Sequence, residues 1–176
     1  MDHNEQREEK SPSESEIETS LLMMPSHSNP TWKTDGLELG AVNGGSILNH
    51  IDNVAGLAAL RHCRTRTVTA SIDRMDFLNP VHVGELLILK ARVNYVGRTS
   101  MEVGVTIETE DLGTGNRKKT GKAYLTFVAI DENGSPIAAP KLKLETDEDR
   151  IRFEEAKERL AFRIEHRKTE STHKHI

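Results

Sequence analysis

Cysteine is nearly missing from this chain of 176 residues, in which Cys63 stands alone. That excludes an intrachain disulfide and any zinc site built on paired thiolates. Aromatic residues make up only 4%, with Trp32 the single tryptophan. No stretch approaches the roughly 18 apolar residues of a membrane-spanning helix, and the polar first residues lack a signal-peptide pattern. An excess of one charge is also absent: 24 basic and 28 acidic residues leave a net of −4, giving no general attraction for nucleic acid. These absences predict a cytoplasmic, reducing setting with neither a membrane nor a nucleic-acid partner. What is present, 35% hydrophobic and 30% charged residues, suits one domain with a sizeable core.

The first eighteen residues hold seven acidic and two basic groups among Ser, Pro, Asn and Gln, so residues 1–20 read as a disordered polar arm. Leu21-Leu22-Met23-Met24 begins a first strand or its edge before Pro25 and Pro30 turn the chain. Beyond a helix, Val68, Ala70 and Ile72 alternate with Thr67, Thr69 and Ser71, the period of a strand with one covered face. Residues 85–96 place Leu87, Leu89, Ala91, Val93 and Tyr95 on one face. Met101, Val103, Val105 and Ile107 follow after Gly97, and Ala123, Leu125, Phe127 and Ala129 follow a hairpin at Gly113 and Gly115. This pattern predicts an antiparallel meander with a helix across one face, in a domain spanning 21–145. An amphipathic helix with Ile151, Phe153, Ala156, Leu160 and Ile164 is expected over 146–165, then a flexible tail over 166–176. His166, His173 and His175 have no carboxylate or cysteine framework around them, so no metal site is expected.

The informative segment is Gly44 to Ala59. At 3.6 residues per turn, Leu48, Asp52, Ala55 and Ala59 share a face, so Asp52 is expected to look inward. A buried carboxylate is costly unless bonded or paired, which points to a structural hydrogen bond or a functional pocket. Gly44 and Gly45 allow close approach and leave unpaired N–H groups at the helix start, here Gly45 and Ser46, able to hold partial negative charge. His50 lies about 200° around the axis from Asp52, which argues against an intrachain dyad. Small helix residues and an exposed sheet edge favour self-association.

Taken in order, several motifs resemble the hotdog-fold acyl-CoA thioesterase family, specifically its YkhA/YciA-like acyl-CoA hydrolases, from about Leu21 to Arg163. They are Met24-Pro25-Ser26-His27-Ser28-Asn29, Gly44-Gly45 through Asp52, Val68 to Asp73, Asp76-Phe77-Leu78-Asn79-Pro80, Val83-Gly84 and Val96-Gly97-Arg98-Thr99-Ser100-Met101. The chain departs from that pattern where ten residues separate Asn29 from Gly40, an enlarged loop that contains Trp32. Asn43 also replaces the usual histidine or aromatic group.

The resemblance implies an α+β hotdog fold, an antiparallel β-sheet wrapped around a central α-helix, with a C-terminal helix. It implies hydrolysis of an acyl-CoA thioester, with Asp52 activating water, or attacking the carbonyl directly, and Asn29 reaching across from an opposing subunit. The N–H groups of Gly45 and Ser46 would polarise the carbonyl. Arg98, Thr99 and Ser100, with Arg61, Arg64 and Arg66, are the candidates for coenzyme A phosphates. No cofactor is expected beyond coenzyme A as part of substrate and product. The expected assembly is a homo-oligomer, at least a dimer and by resemblance a hexamer of three dimers. The rival readings are a non-catalytic acyl-CoA-binding or sensing protein and a hotdog enoyl-CoA hydratase.

Overall fold

The computed structural model describes residues 8–29 and 40–173, with side chains as far as residue 166. Strands β1 (Ile17–Leu22), β2 (Thr67–Phe77), β3 (Leu86–Val96), β4 (Ser100–Glu110) and β5 (Arg117–Ala129) form one antiparallel sheet in the order β1-β3-β4-β5-β2. Helix α1 (Gly44–Cys63) lies in the concave face, and α2 (Asp147–His173) lies outside the sheet. This is the expected hotdog arrangement.

The core is the meeting of two periodicities. Ile47, Ile51, Val54, Ala55, Ala58 and Ala59 recur at helical spacing along α1. They meet Leu87, Leu89, Ala91, Val103, Val105, Leu125 and Phe127, which recur at two-residue spacing on the strands. Small residues on the helix let its axis approach the curved sheet. Asn43 caps the helix start, and Arg64 ends the helix in the left-handed region at φ 52°.

Four sequence expectations need correction. The chain is ordered before residue 20: Pro12–Ser15 forms a 3-10 turn and β1 begins at Ile17, because Lys10 to Leu22 finds partners at both ends. Lys10 makes a parallel bridge to Leu142, its ammonium donates to the His62 carbonyl at 2.8 Å, and Ile17 to Leu22 pair with β3. Tyr95 leaves the inner face, since a bulge between Val93 and Tyr95 shifts the register and sends its ring to Phe153 at 5.1 Å. The apolar set of β2 is not covered: Val68 and Ile72 are each 44% exposed, because β2 is an edge strand. Helix α2 continues past 165 to His173, and of its expected apolar stripe Ile151 and Ile164 are exposed while Ala156 is buried.

The outer face is held differently. Arg92 pairs with Asp149 and Glu16, Arg159 with Glu102 at 2.8 Å, and Arg163 with Asp73. Burial alone would raise the Asp73 carboxyl, but hydrogen bonds from Ser71, Thr126 and Arg163 outweigh it and hold the group below its ordinary value.

Candidate active site

Asp52 does not point into the core. The buried stripe of α1 passes through Ile51 and Ala55, leaving Asp52 half-buried at its margin, where the helix meets β2. After the turn at Arg64, β2 runs back along the helix, and Thr69 Oγ1 donates to Asp52 Oδ1 at 2.8 Å. The other carboxylate oxygen has no hydrogen bond among the described residues, so it is available to accept a proton. Around this pair lies a depression of 400 Å³ bounded by Gly56, Leu57, Leu60, Phe127, Thr67 and Arg66. Sequence reasoning passed over Thr69 and these apolar walls. Thr69 sits in the polar half of a strand alternation, and only the return of β2 along α1 reveals its partner.

The helix start is a separate place. Gly45 N–H donates to Asn43 Oδ1 at 2.7 Å and Ser46 N–H to the Asn43 carbonyl at 3.0 Å, so neither of the two expected donors is unpaired. Asparagine is a strong N-cap, and its presence before the glycines is the reason. The N–H of Gly44 has no partner among the described residues. Asn29 is tied beside this end: its N–H donates to the Ala41 carbonyl at 2.9 Å, and Asn43 N–H donates to the His27 carbonyl at 2.8 Å. The enlarged loop with Trp32 lies outside the described residues. His50 belongs here as well, edge-on to His27 with ring centroids 5.6 Å apart. Burial, then the neighbouring His27, lowers His50 below 6.5. A second depression, of 300 Å³, opens at the helix start between Gly44, Ile47, Phe77 and Leu78.

Asp52 lies eight positions along the helix from Gly44, about 12 Å at 1.5 Å per residue. One chain therefore holds the carboxylate and the helix start in two different depressions. The basic residues also divide. Arg66 reaches the Asp52 depression, Arg61 donates to the Glu16 carbonyl at 2.7 Å, and Arg64 is exposed at the helix cap. Arg98 is exposed in the β3–β4 hairpin, where the carbonyls of Arg98 and Thr99 accept from Ala139 and Ala129 and the Ser100 carbonyl accepts from Gly97. Among the described residues no three His, Cys, Asp or Glu side chains converge as a metal site. No helix there is long and apolar enough to cross a membrane.

The thioesterase superfamily pattern matches residues 39–116. VdlD of Helicobacter pylori is 41% identical over 122 residues, covering 69% of this chain and 70% of that protein. The chain belongs to the hotdog-fold acyl-CoA thioesterase family. The thioester hydrolase YkhA of Bacillus subtilis, itself uncharacterized, is 44% identical to this thioesterase over 106 residues, 60% of this chain and 62% of YkhA. The fold matches an apo-hexameric acyl-CoA thioesterase with a TM-score of 0.82 at 34% identity, over 90% of this chain and 97% of the other. It also matches a Staphylococcus aureus acyl-CoA hydrolase bound to butyryl coenzyme A and coenzyme A, with a TM-score of 0.81 at 33% identity over 94% and 95% of the two chains. Alanine variants of that enzyme were made at an aspartate and at a threonine 17 positions later, the separation of Asp52 and Thr69 here.

Proposed function

We propose that this chain hydrolyses acyl-CoA thioesters at a site completed by two subunits, with Asp52 as the general base. The observation that carries this reading is the Asp52–Thr69 pair, a carboxylate with one oxygen held and the other free beside an apolar depression. Thr69 fixes the carboxylate plane, and the free oxygen takes a proton from water as the water oxygen attacks the thioester carbon. The C–S bond then breaks, and the proton returns to the departing thiolate. Charge developing on the carbonyl oxygen is received at the opposing helix start by the partner's Gly44 N–H, with the helix dipole and the partner's capped Gly45 and the partner's Ser46 behind it. Asn29 of the opposing subunit positions water or carbonyl.

The open edge supplies a route to that shared site. If β2 pairs with a second copy, antiparallel about its midpoint Ile72, Thr69 falls opposite Met75 of the partner subunit. The exposed Val68 and Ile72 become covered, and each Asp52 depression approaches the partner's helix start, twice by symmetry. We assign a dimer as the minimum active unit and a hexamer of three dimers as the full assembly, in line with the hexameric relatives. Arg98, Thr99 and Ser100 are assigned to coenzyme A phosphates, which comparative binding of coenzyme A and pantetheine tests: equal affinities would remove that assignment.

Replacing Asp52 by Asn should lower kcat about 10²- to 10⁴-fold without changing the fold. Turnover equal to wild type in Asp52→Asn would refute the base assignment. The Asn43 cap on Gly45 favours one second reading, an acyl-CoA-binding module whose oxyanion donors are occupied. Tight binding with no coenzyme A release at any acyl length would select it.

A further inference from the structure

Helix α1 carries a glycine at an unexpected place. Gly56 lies one turn beyond Asp52, in the interior of a twenty-residue helix, where glycine is among the worst residues and alanine the best. Sterics do not require it. A Cβ at this position would meet only the Phe127 ring, at 3.6 and 3.9 Å, ordinary van der Waals contact. No contact within the chain therefore requires the missing side chain, whereas the depression beside Asp52 gains open space.

We propose that the depression from Asp52 past Gly56 to Leu60 is the acyl-chain subsite, and that Gly56 is the residue that sets how long a chain it accepts. This rests on the assignment of Asp52 as the base. With the thioester carbon at Asp52, an alkyl chain continuing along the helix meets Leu57, Leu60 and Phe127, all apolar. The return of β2 along α1 leads from Thr69 back to Arg66, so the guanidinium stands at the far end, where an apolar chain must stop or turn. The pantetheine arm is the rival occupant, because the Arg66 end of β2 and the Arg98 hairpin flank the same end of β5. The helix wall favours the acyl chain: pantetheine carries two amides, and from Gly56 to Leu60 the helix offers a backbone already bonded and hydrocarbon side chains, while Asn53, Thr67 and Arg66 supply the polar part of the lining.

The test is kcat/KM for a series of straight-chain acyl-CoAs from acetyl upward, measured on wild type, Gly56→Ala and Gly56→Leu, with oligomeric state followed in parallel. In wild type each methylene entering the groove should raise kcat/KM about four-fold. Gly56→Leu should flatten that rise, so that the ratio of long-chain to acetyl activity falls at least ten-fold, and Gly56→Ala should give an intermediate ratio. Gly56→Ala keeps the test valid if the leucine variant fails to fold. Unchanged ratios in both variants would overturn the proposal. So would a loss equal for every acyl-CoA, which places pantetheine in the groove, or a change of oligomeric state without a change of ratio, which places the partner subunit there. Failure of the Asp52 assignment looks different: Asp52→Asn would keep its turnover whatever the chain length. In that event, acyl-CoA affinities of the same Gly56 variants still report the subsite.

Discussion

The two faces of the sheet are built on different principles. The concave face meets α1 through side-chain volume: Ile51, Ala55, Leu89, Val103 and Leu125 are fully buried hydrocarbon. The convex face meets α2 largely through paired charge, with Asp73, Glu102 and Asp149 each bound by an arginine. Glu102 is buried and also accepts from Asn94 Nδ2 at 3.2 Å. A hydrocarbon contact is non-directional and loses stability in proportion to what is deleted. A buried ion pair is directional, and deleting half of it leaves a charge without a partner.

That contrast is broken most severely from the inside. Ile51→Ala or Leu125→Ala should cost about 2–5 kcal/mol in urea unfolding, as expected for a cavity in a close-packed core. Outside, Arg159→Ala should cost about 1–3 kcal/mol by leaving Glu102 with Asn94 alone. Replacing both partners, Glu102→Leu with Arg159→Met, should recover most of that loss. If the double replacement is as harmful as the single, the outer face is packed like the inner one.

Acid sharpens the comparison, because His62 on one side and Asp73 on the other both have lowered pKa values but lose their contributions at different pH. His62 is fully buried under the N-terminal segment, its Nε2 is 2.8 Å from the Pro140 carbonyl, and burial lowers its pKa below 6.5. The unfolded chain therefore binds this proton first. The His62 contribution is complete above pH 6.5 and is lost as pH falls toward the lowered value. Asp73 is also lowered, from 3.8, so its contribution is complete above that pH and is lost only on stronger acidification. Thermal melts from pH 7.5 to 5 should fall in wild type and fall less in His62→Gln. Asp73→Asn should leave that part of the profile unchanged and flatten the part below pH 4. Smallest of all, removing the exposed α2 pairs Arg152–Glu148 or Lys157–Glu154 should produce no measurable change in Tm.

The same contrast explains what could be read from sequence. Alternation in β3, β4 and β5 and the 3.6 period of α1 report which face is apolar, so the hotdog core was legible from Leu87, Val103 and Leu125 upward. Asp52 was legible as a charge out of place, although not its margin position, since Ile51 and Ala55 claim the inner stripe. Glu102, Asn94 and Thr126 read as solvent-facing strand residues, because nothing local announces that a helix much later in the chain will cover them. Bulges are equally silent: the irregularity at Asn94 turns Tyr95 outward without breaking the hydrophobic pattern. Thr69 depends on both kinds of information, a strand position and the path by which that strand returns. The expected unpaired N–H groups at Gly45 and Ser46 failed for a local reason, the Asn43 cap.

The bridge from Lys10 to Leu142 joins the segment before β1 to the segment after β5 and closes the whole sheet and α1 into one loop. Such a contact repays its closure entropy only after the sheet between its ends has formed. The knot of Lys10, Lys141 and Lys143 backbone bonds should accordingly be the last part of the domain to assemble and the first to open. In native-state hydrogen exchange the Lys10 and Lys143 amides would lose protection well before those of β4. The ammonium of Lys10 on the last turn of α1 then acts as a seal, whose opening unfastens the far end of that helix while its core stays packed.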